Sequence, residues 1–153
     1  MEYVKGKSLG EYIRSGERFS IKEIIKYGIE ITEIFVYFHN QKPPVYYGDL
    51  KPDNLMLGEN GRLYLIDLGG AVNGYKYQHK VCTGTNGFAA PEQYEGRINA
   101  ATDIYTFGKT LSCVKNLIFC CLYKICHCSV LFFDVVRKSR KCVFRIWRLY
   151  RRN

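Results

Sequence analysis

The eight residues Tyr47-Gly48-Asp49-Leu50-Lys51-Pro52-Asp53-Asn54 constrain this chain more than any other stretch. Pro52 fixes its own φ and removes a backbone donor, so the segment reads as a tight, stiffened loop. The loop sets a carboxylate, an ammonium and a carboxamide close together, at Asp49, Lys51 and Asn54. Just beyond it, Leu55-Met56-Leu57 and Leu63-Tyr64-Leu65-Ile66 are short apolar runs on either side of Gly58-Glu59-Asn60-Gly61. That pattern predicts a small β-hairpin, with Asn54 on one shoulder and Asp67 on the other. These groups suit the handling of a phosphoryl group. Asp49 can accept a proton from an attacking hydroxyl, Lys51 can offset phosphate charge, and the oxygens of Asn54 and Asp67 can hold Mg²⁺.

Helical signals precede the loop. Ser8 with Glu11, and Ser20 with Glu23, have the spacing of capping boxes. The first predicts a brief helix over residues 9–15 that stops at Gly16. After the second, Ile21, Ile24, Ile25, Gly28, Thr32, Phe35, Val36 and His39 recur at helical spacing and predict a long amphipathic helix to about Asn40. Pro43-Pro44 ends it. Residues 1–7 read as extended, and residues 69–88, rich in Gly, Asn, Tyr and Lys, as a mobile surface loop. A last helix is expected from Ala100 to about Lys115, capped by Asn99 or Thr102. The fold class expected is α+β, mainly α-helical.

Charge divides the chain in two. Residues 1–114 hold 13 basic and 13 acidic residues, so the net +9 lies wholly in residues 115–153, where 10 basic residues face only Asp134. Six of the seven cysteines fall beyond residue 112 as well. Met1-Glu2-Tyr3 opens no signal peptide, which predicts a reducing cytoplasm and free thiols. Cys126-His127-Cys128 has one-residue gaps that fit no common zinc spacing. Leu117 to Val136 is apolar, but Lys124, His127 and Asp134 interrupt it, which favours a buried helix pair over a membrane span. The basic end, 137–152, would suit a membrane surface or RNA, yet no recognition motif accompanies the charge; a solvated tail is the plainer expectation.

The order Asp49-Leu50-Lys51-Pro52-x-Asn54, then Asp67-x-Gly69, then Ala90-Pro91-Glu92 resembles the protein kinases, and the serine/threonine kinases of bacterial type in particular. The resemblance covers residues 1 to about 112. It implies the C-terminal lobe of such a kinase over 1–114, with a small hairpin carrying the active-site loops, and a Cys-rich basic remainder over 115–153. It implies ATP and Mg²⁺ as cofactors and a protein bearing Ser or Thr as substrate. Met1-Glu2-Tyr3-Val4 looks like the hinge, in which the backbone of Glu2 and Val4 would hold adenine. Asp49 and Lys51 match the catalytic loop, Asn54 and Asp67 the metal-binding positions, and Thr85 the threonine that steadies Asp49 and Lys51. Asp103 matches a helix aspartate that ties down the catalytic loop's backbone. Glu92 matches an acid that pairs with a distant arginine, here Arg145 or Arg148. Leu68 stands where the family has Phe, in a packing role, and Asp53 reads as a solvated loop acid.

Two departures stand out. Tyr47-Gly48 replaces the family's His-Arg, removing the partner of a phosphorylated activation loop, so Thr83→Ala is expected to leave activity unchanged. No Gly-rich loop, strand lysine or helix glutamate precedes the hinge, and the expectation is a truncated, inactive fragment that lacks the other lobe or needs another protein to supply it. Three competing readings differ in class. A pseudokinase-like interaction module or degenerate gene product would fit the change of texture near residue 113. A small-molecule phosphotransferase of the aminoglycoside kind shares the acid-to-amide spacing, but Lys51-Pro52 and Ala90-Pro91-Glu92 speak against it. A nucleic-acid binder would use the tail alone.

Overall fold

Both capping boxes form. In the computed structural model, which describes residues 4–74 and 84–114, Ser8 Oγ accepts the Glu11 N–H at 3.1 Å while Glu11 accepts the Ser8 N–H at 2.7 Å. The short helix α1 (Leu9–Arg14) starts there, and the chain leaves it through Gly16 at φ +83°. Ser20 and Glu23 exchange the same pair of bonds at 3.3 and 2.7 Å and open α2 (Ile21–His39). The last helix, α3 (Ala100–Val114), is capped by Asn99, whose side-chain oxygen accepts from Ala101 N at 2.8 Å. Thr102, the alternative cap, lies inside the helix.

Two small sheets flank these helices. Strand β1 (Gly6–Ser8) pairs antiparallel with β3 (Leu55–Gly58), which pairs antiparallel with β4 (Leu63–Leu65), in the spatial order β1-β3-β4. The register sets Leu55 opposite Leu65 and Leu57 opposite Leu63. Strand β2 (Val45–Tyr46) pairs with β5 (Val72–Asn73), Val45 opposite Asn73. The second pairing corrects the expectation of a surface loop from residue 69. Leu68–Gly70 is a 3₁₀ turn and β5 follows at once. The polar, Gly-rich composition hid a two-residue strand because backbone pairing, rather than an apolar face, holds it. Residues 75–83 of the same loop, with Cys82 and Thr83, lie outside the described residues, as do the predictions for 115–153 and for Cys126-His127-Cys128. Among the described residues no helix is long and apolar enough to cross a membrane.

The core runs along one face of α2. Ile24, Ile25, Tyr27, Ile31 and Phe35 cluster with Leu55 and Leu63 of the sheet and with Phe107, Leu111 and Val114 of α3. The loop enters this core twice, through Tyr47 and Leu50, both 0% exposed. Burying such side chains is worth roughly 2 kcal/mol each, so the residues bracketing Asp49 are anchored while its own carboxylate stays in reach of solvent. Leu68 departs from its expected packing role: it is 55% exposed.

Candidate active site

The loop that carries Asp49 is pinned at four consecutive residues by side chains, three of them from outside the loop. Asp103 of α3, fully buried, accepts the backbone N–H of Tyr47 at 3.1 Å and of Gly48 at 2.7 Å. Gln93 donates to the Gly48 carbonyl at 2.7 Å, Asn54 to the Asp49 carbonyl at 2.9 Å, and Thr110 to the Leu50 carbonyl at 3.0 Å. Buried backbone groups need such partners, and a loop has no ladder to supply them. His39, at the end of α2, brings its Nε2 within 2.7 Å of the Asp103 oxygen that also accepts the Tyr47 N–H, and a carboxylate only accepts, so Nε2 carries the donated proton; its Nδ1 is buried without a partner among the described residues. The ring lies flat against Phe35, with centroids 5.7 Å apart.

Asp49 sits at the centre of a second set of bonds. One carboxylate oxygen accepts from Thr85 twice, from Oγ1 at 2.6 Å and from the backbone N–H at 3.2 Å. The other accepts from Lys51 Nζ at 3.0 Å and Asn54 Nδ2 at 3.3 Å. Lys51 also donates to Thr85 Oγ1 at 2.8 Å. An ammonium has three donors, so this leaves Lys51 one N–H for an outside acceptor. Asp49 and Lys51 side chains are 18% and 23% exposed, a semi-dry setting in which charge is felt more strongly than in water.

Tyr47 couples this loop to Asp67. Its hydroxyl donates to the Ile66 carbonyl at 2.8 Å, and the Ile66 N–H donates to the Asn54 carbonyl at 2.9 Å. Burial pushes the Tyr47 phenol well above its ordinary pKa, so it stays a donor. Asp67 follows at φ +58°, the left-handed region that a non-glycine residue rarely adopts. Its carboxylate accepts the Gly69 N–H at 3.1 Å, a local bond that steadies this conformation, and the side chain remains exposed. Gly70 packs beside Asp49, where an added Cβ would lie 3.8 Å from the Asp49 Cβ. Metal-grade oxygens at Asn54 and Asp67 therefore stand on backbone segments that hydrogen-bond each other.

The remaining sequence-predicted residues divide. Thr102 donates to Glu92 at 2.7 Å, a partner the sequence did not suggest; Arg145 and Arg148 lie outside the described residues. Val4 is half-buried before β1, and Glu2 lies outside the described residues. Asp53 is not merely solvated: it accepts from Arg14 at 2.6 Å and ties the loop to α1, where a side chain at Gly10 would collide with it. Sequence reasoning missed Gln93, Thr110 and the bond from His39. One signal was present. Asp103, Thr106 and Thr110 recur at helical spacing on one face of α3, a polar stripe where an apolar one belongs.

A mixed helix-and-sheet chain whose pinned loop carries an acid, a lysine and a carboxamide in this order falls in the class of the protein kinases. The family model for the protein kinase domain matches residues 1–128, and the chain belongs to that family. It is similar to the serine/threonine-protein kinase PknG of Mycolicibacterium smegmatis, at 41% identity over 114 residues that cover 73% of this chain and 14% of the relative. The probable serine/threonine-protein kinase WNK9 of Oryza sativa subsp. japonica is 34% identical over 114 residues, covering 74% of this chain and 26% of the relative. Aurora kinase A-A of Xenopus laevis is 31% identical over 109 residues, covering 71% and 26%. The chain thus spans a seventh to about a quarter of these relatives' lengths.

Proposed function

We propose that residues 1–114 are the C-terminal lobe of a cytoplasmic serine/threonine protein kinase, acting on a Ser or Thr hydroxyl of a protein substrate. The observation that carries this reading is the convergence of Lys51, Asn54 and Thr85 on the Asp49 carboxylate. Asp49 orients the incoming hydroxyl and takes its proton as the oxygen attacks phosphorus. Thr85 holds Asp49 in place, and the spare N–H of Lys51 meets phosphate charge. The amide oxygen of Asn54 and the carboxylate of Asp67 are hard donors suited to Mg²⁺, which prefers one or two protein oxygens plus those of phosphate. When bound, Mg²⁺ and ATP supply the phosphoryl group and neutralise its charge.

The 153 residues contain no Gly-x-Gly-x-x-Gly run and no strand-lysine motif. A nucleotide on these residues alone would have one wall and one cationic contact, so the isolated chain is expected to bind Mg-ATP more weakly than micromolar and not to turn over. The test uses Mn²⁺-ATP with isotope-labelled chain. Broadening should be strongest around residues 54 and 67 at high ligand and fall off with distance from them, and Asp67→Asn should abolish the effect. Broadening centred away from residues 49, 54 and 67, or none at any concentration, would overturn the assignment. Micromolar binding in a calorimetric titration would overturn the expectation of an inactive piece.

A further inference from the structure

We propose that Gln93 is the positioning residue that holds the Thr85 segment against the Asp49 loop, through a closed ring of bonds in which its side chain joins the Gly48 backbone to the Ala90 backbone. The inference rests on reading Asp49 as the catalytic base. Gln93 is 1% exposed and spends both ends of its amide. Its oxygen accepts the Ala90 N–H at 2.8 Å and its nitrogen donates to the Gly48 carbonyl at 2.7 Å. From Ala90 the chain turns back: the N–H groups of Phe88 and Ala89 donate to the Thr85 carbonyl at 3.0 and 2.9 Å. Thr85 then bonds Asp49, the neighbour of Gly48, and closes the ring. Gly84 is fitted to the same point, since a Cβ there would lie 2.5 Å from Ala89 Cβ and 3.0 Å from Gln93 Nε2.

A ring of this kind makes the placement of Thr85 depend on a residue that does not touch the reacting atoms. Gln93 has one donor aimed at a carbonyl and one acceptor aimed at an N–H, a polarity that glutamate cannot reproduce. Gln93→Glu keeps the size and the bond from Ala90 but sets a carboxylate oxygen against the Gly48 carbonyl, two acceptors facing each other in a buried site. The segment on the Thr85 side should then part from the loop while the helices stay intact. Because Gly48 stands where the family has Arg, this linkage also positions the segment without a phosphate.

The test is amide hydrogen exchange on the 153-residue chain. In Gln93→Glu the Thr85 N–H should exchange about tenfold faster than in the wild type, with Ile31 and Phe35 of α2 unchanged. Gln93→Met, which keeps the volume and loses both bonds, should speed Thr85 and Ala90 together. Thr85 protection unchanged in both variants would overturn the proposal. So would acceleration spread evenly through α2, α3 and the loop, because Gln93 would then be an ordinary core residue. The readout needs no nucleotide, so its failure leaves the assignment of Asp49 standing, and failure of the Mn²⁺-ATP experiment leaves the ring standing.

Discussion

The Asp103 carboxylate accepts the Gly48 N–H at 2.7 Å across 55 residues of sequence, and the same side chain takes the Tyr47 N–H and His39. One fully buried acid therefore decides the path of the loop just before Asp49. Removing it strands two backbone donors and an imidazole N–H away from water. Asp103→Ala should lower the unfolding free energy by about 3 kcal/mol or more, read as a lower urea midpoint. Asp103→Asn, equal in shape, should lose less but still register, because its NH₂ faces a donor.

Asp67 holds a left-handed backbone that its own carboxylate helps to stabilise. Asp67→Ala keeps the Cβ penalty and loses the local bond, so it should destabilise by about 1 kcal/mol. Asp67→Gly loses the bond but relieves the backbone, and its urea midpoint should stay near that of the wild type. Both variants should lose the Mn²⁺-ATP broadening at residue 54. A glycine variant as unstable as the alanine one would show that the carboxylate, not the backbone, sets the cost.

How much of this was legible in the sequence depended on range. Ser8, Glu11, Ser20 and Glu23 act over three residues, and spacing alone located both helix starts. The Asp49 loop was legible because its chemistry is compressed into six positions. The 3₁₀ turn and β5 after Asp67 were not, because Val72 and Asn73 form a strand only against Val45 and Tyr46. Gln93, Thr110 and His39 were missed for the same reason. Their partners are 45, 60 and 64 residues away, and a lone polar residue among apolar ones does not declare which distant atom it serves.

The capping boxes give a pH dependence with a definite sign. The bond from the Ser8 backbone, with its hydroxyl, holds Glu11 below the ordinary 4.5, and the Ser20 side chain and backbone do the same for Glu23. A carboxylate whose folded pKa is depressed contributes stability above its unfolded pKa and loses it as pH falls through the folded one. The Glu11→Gln/Glu23→Gln double variant should melt lower than the wild type near neutral pH. The gap should close as the pH is taken below 4.5. A gap that persists in acid would mean that packing of these side chains, not their charge, supports the helix starts. Ser20→Ala, which removes the other half of the second box and the main cause of the lowered Glu23 pKa, should cost about 1 kcal/mol near neutral pH and less in acid.

Gly48 tests whether the departure from the family's Arg is structural. It adopts φ +73°, and a Cβ there would lie 3.1 Å from Ile98 Cδ1 and 3.2 Å from its Cγ2. Two costs arise on adding a side chain, the left-handed backbone and the crowding of Ile98. The first is about 1 kcal/mol for alanine. The second can be removed separately, by shortening Ile98. Gly48→Ala should therefore lower stability by about 1–2 kcal/mol, and in the Ile98→Ala background, which removes both Cδ1 and Cγ2, the loss should shrink toward the backbone cost alone. Denaturant midpoints of the four members of the cycle give the coupling directly. No coupling would mean that Ile98 moves aside freely, and the glycine would then be required by its backbone conformation alone.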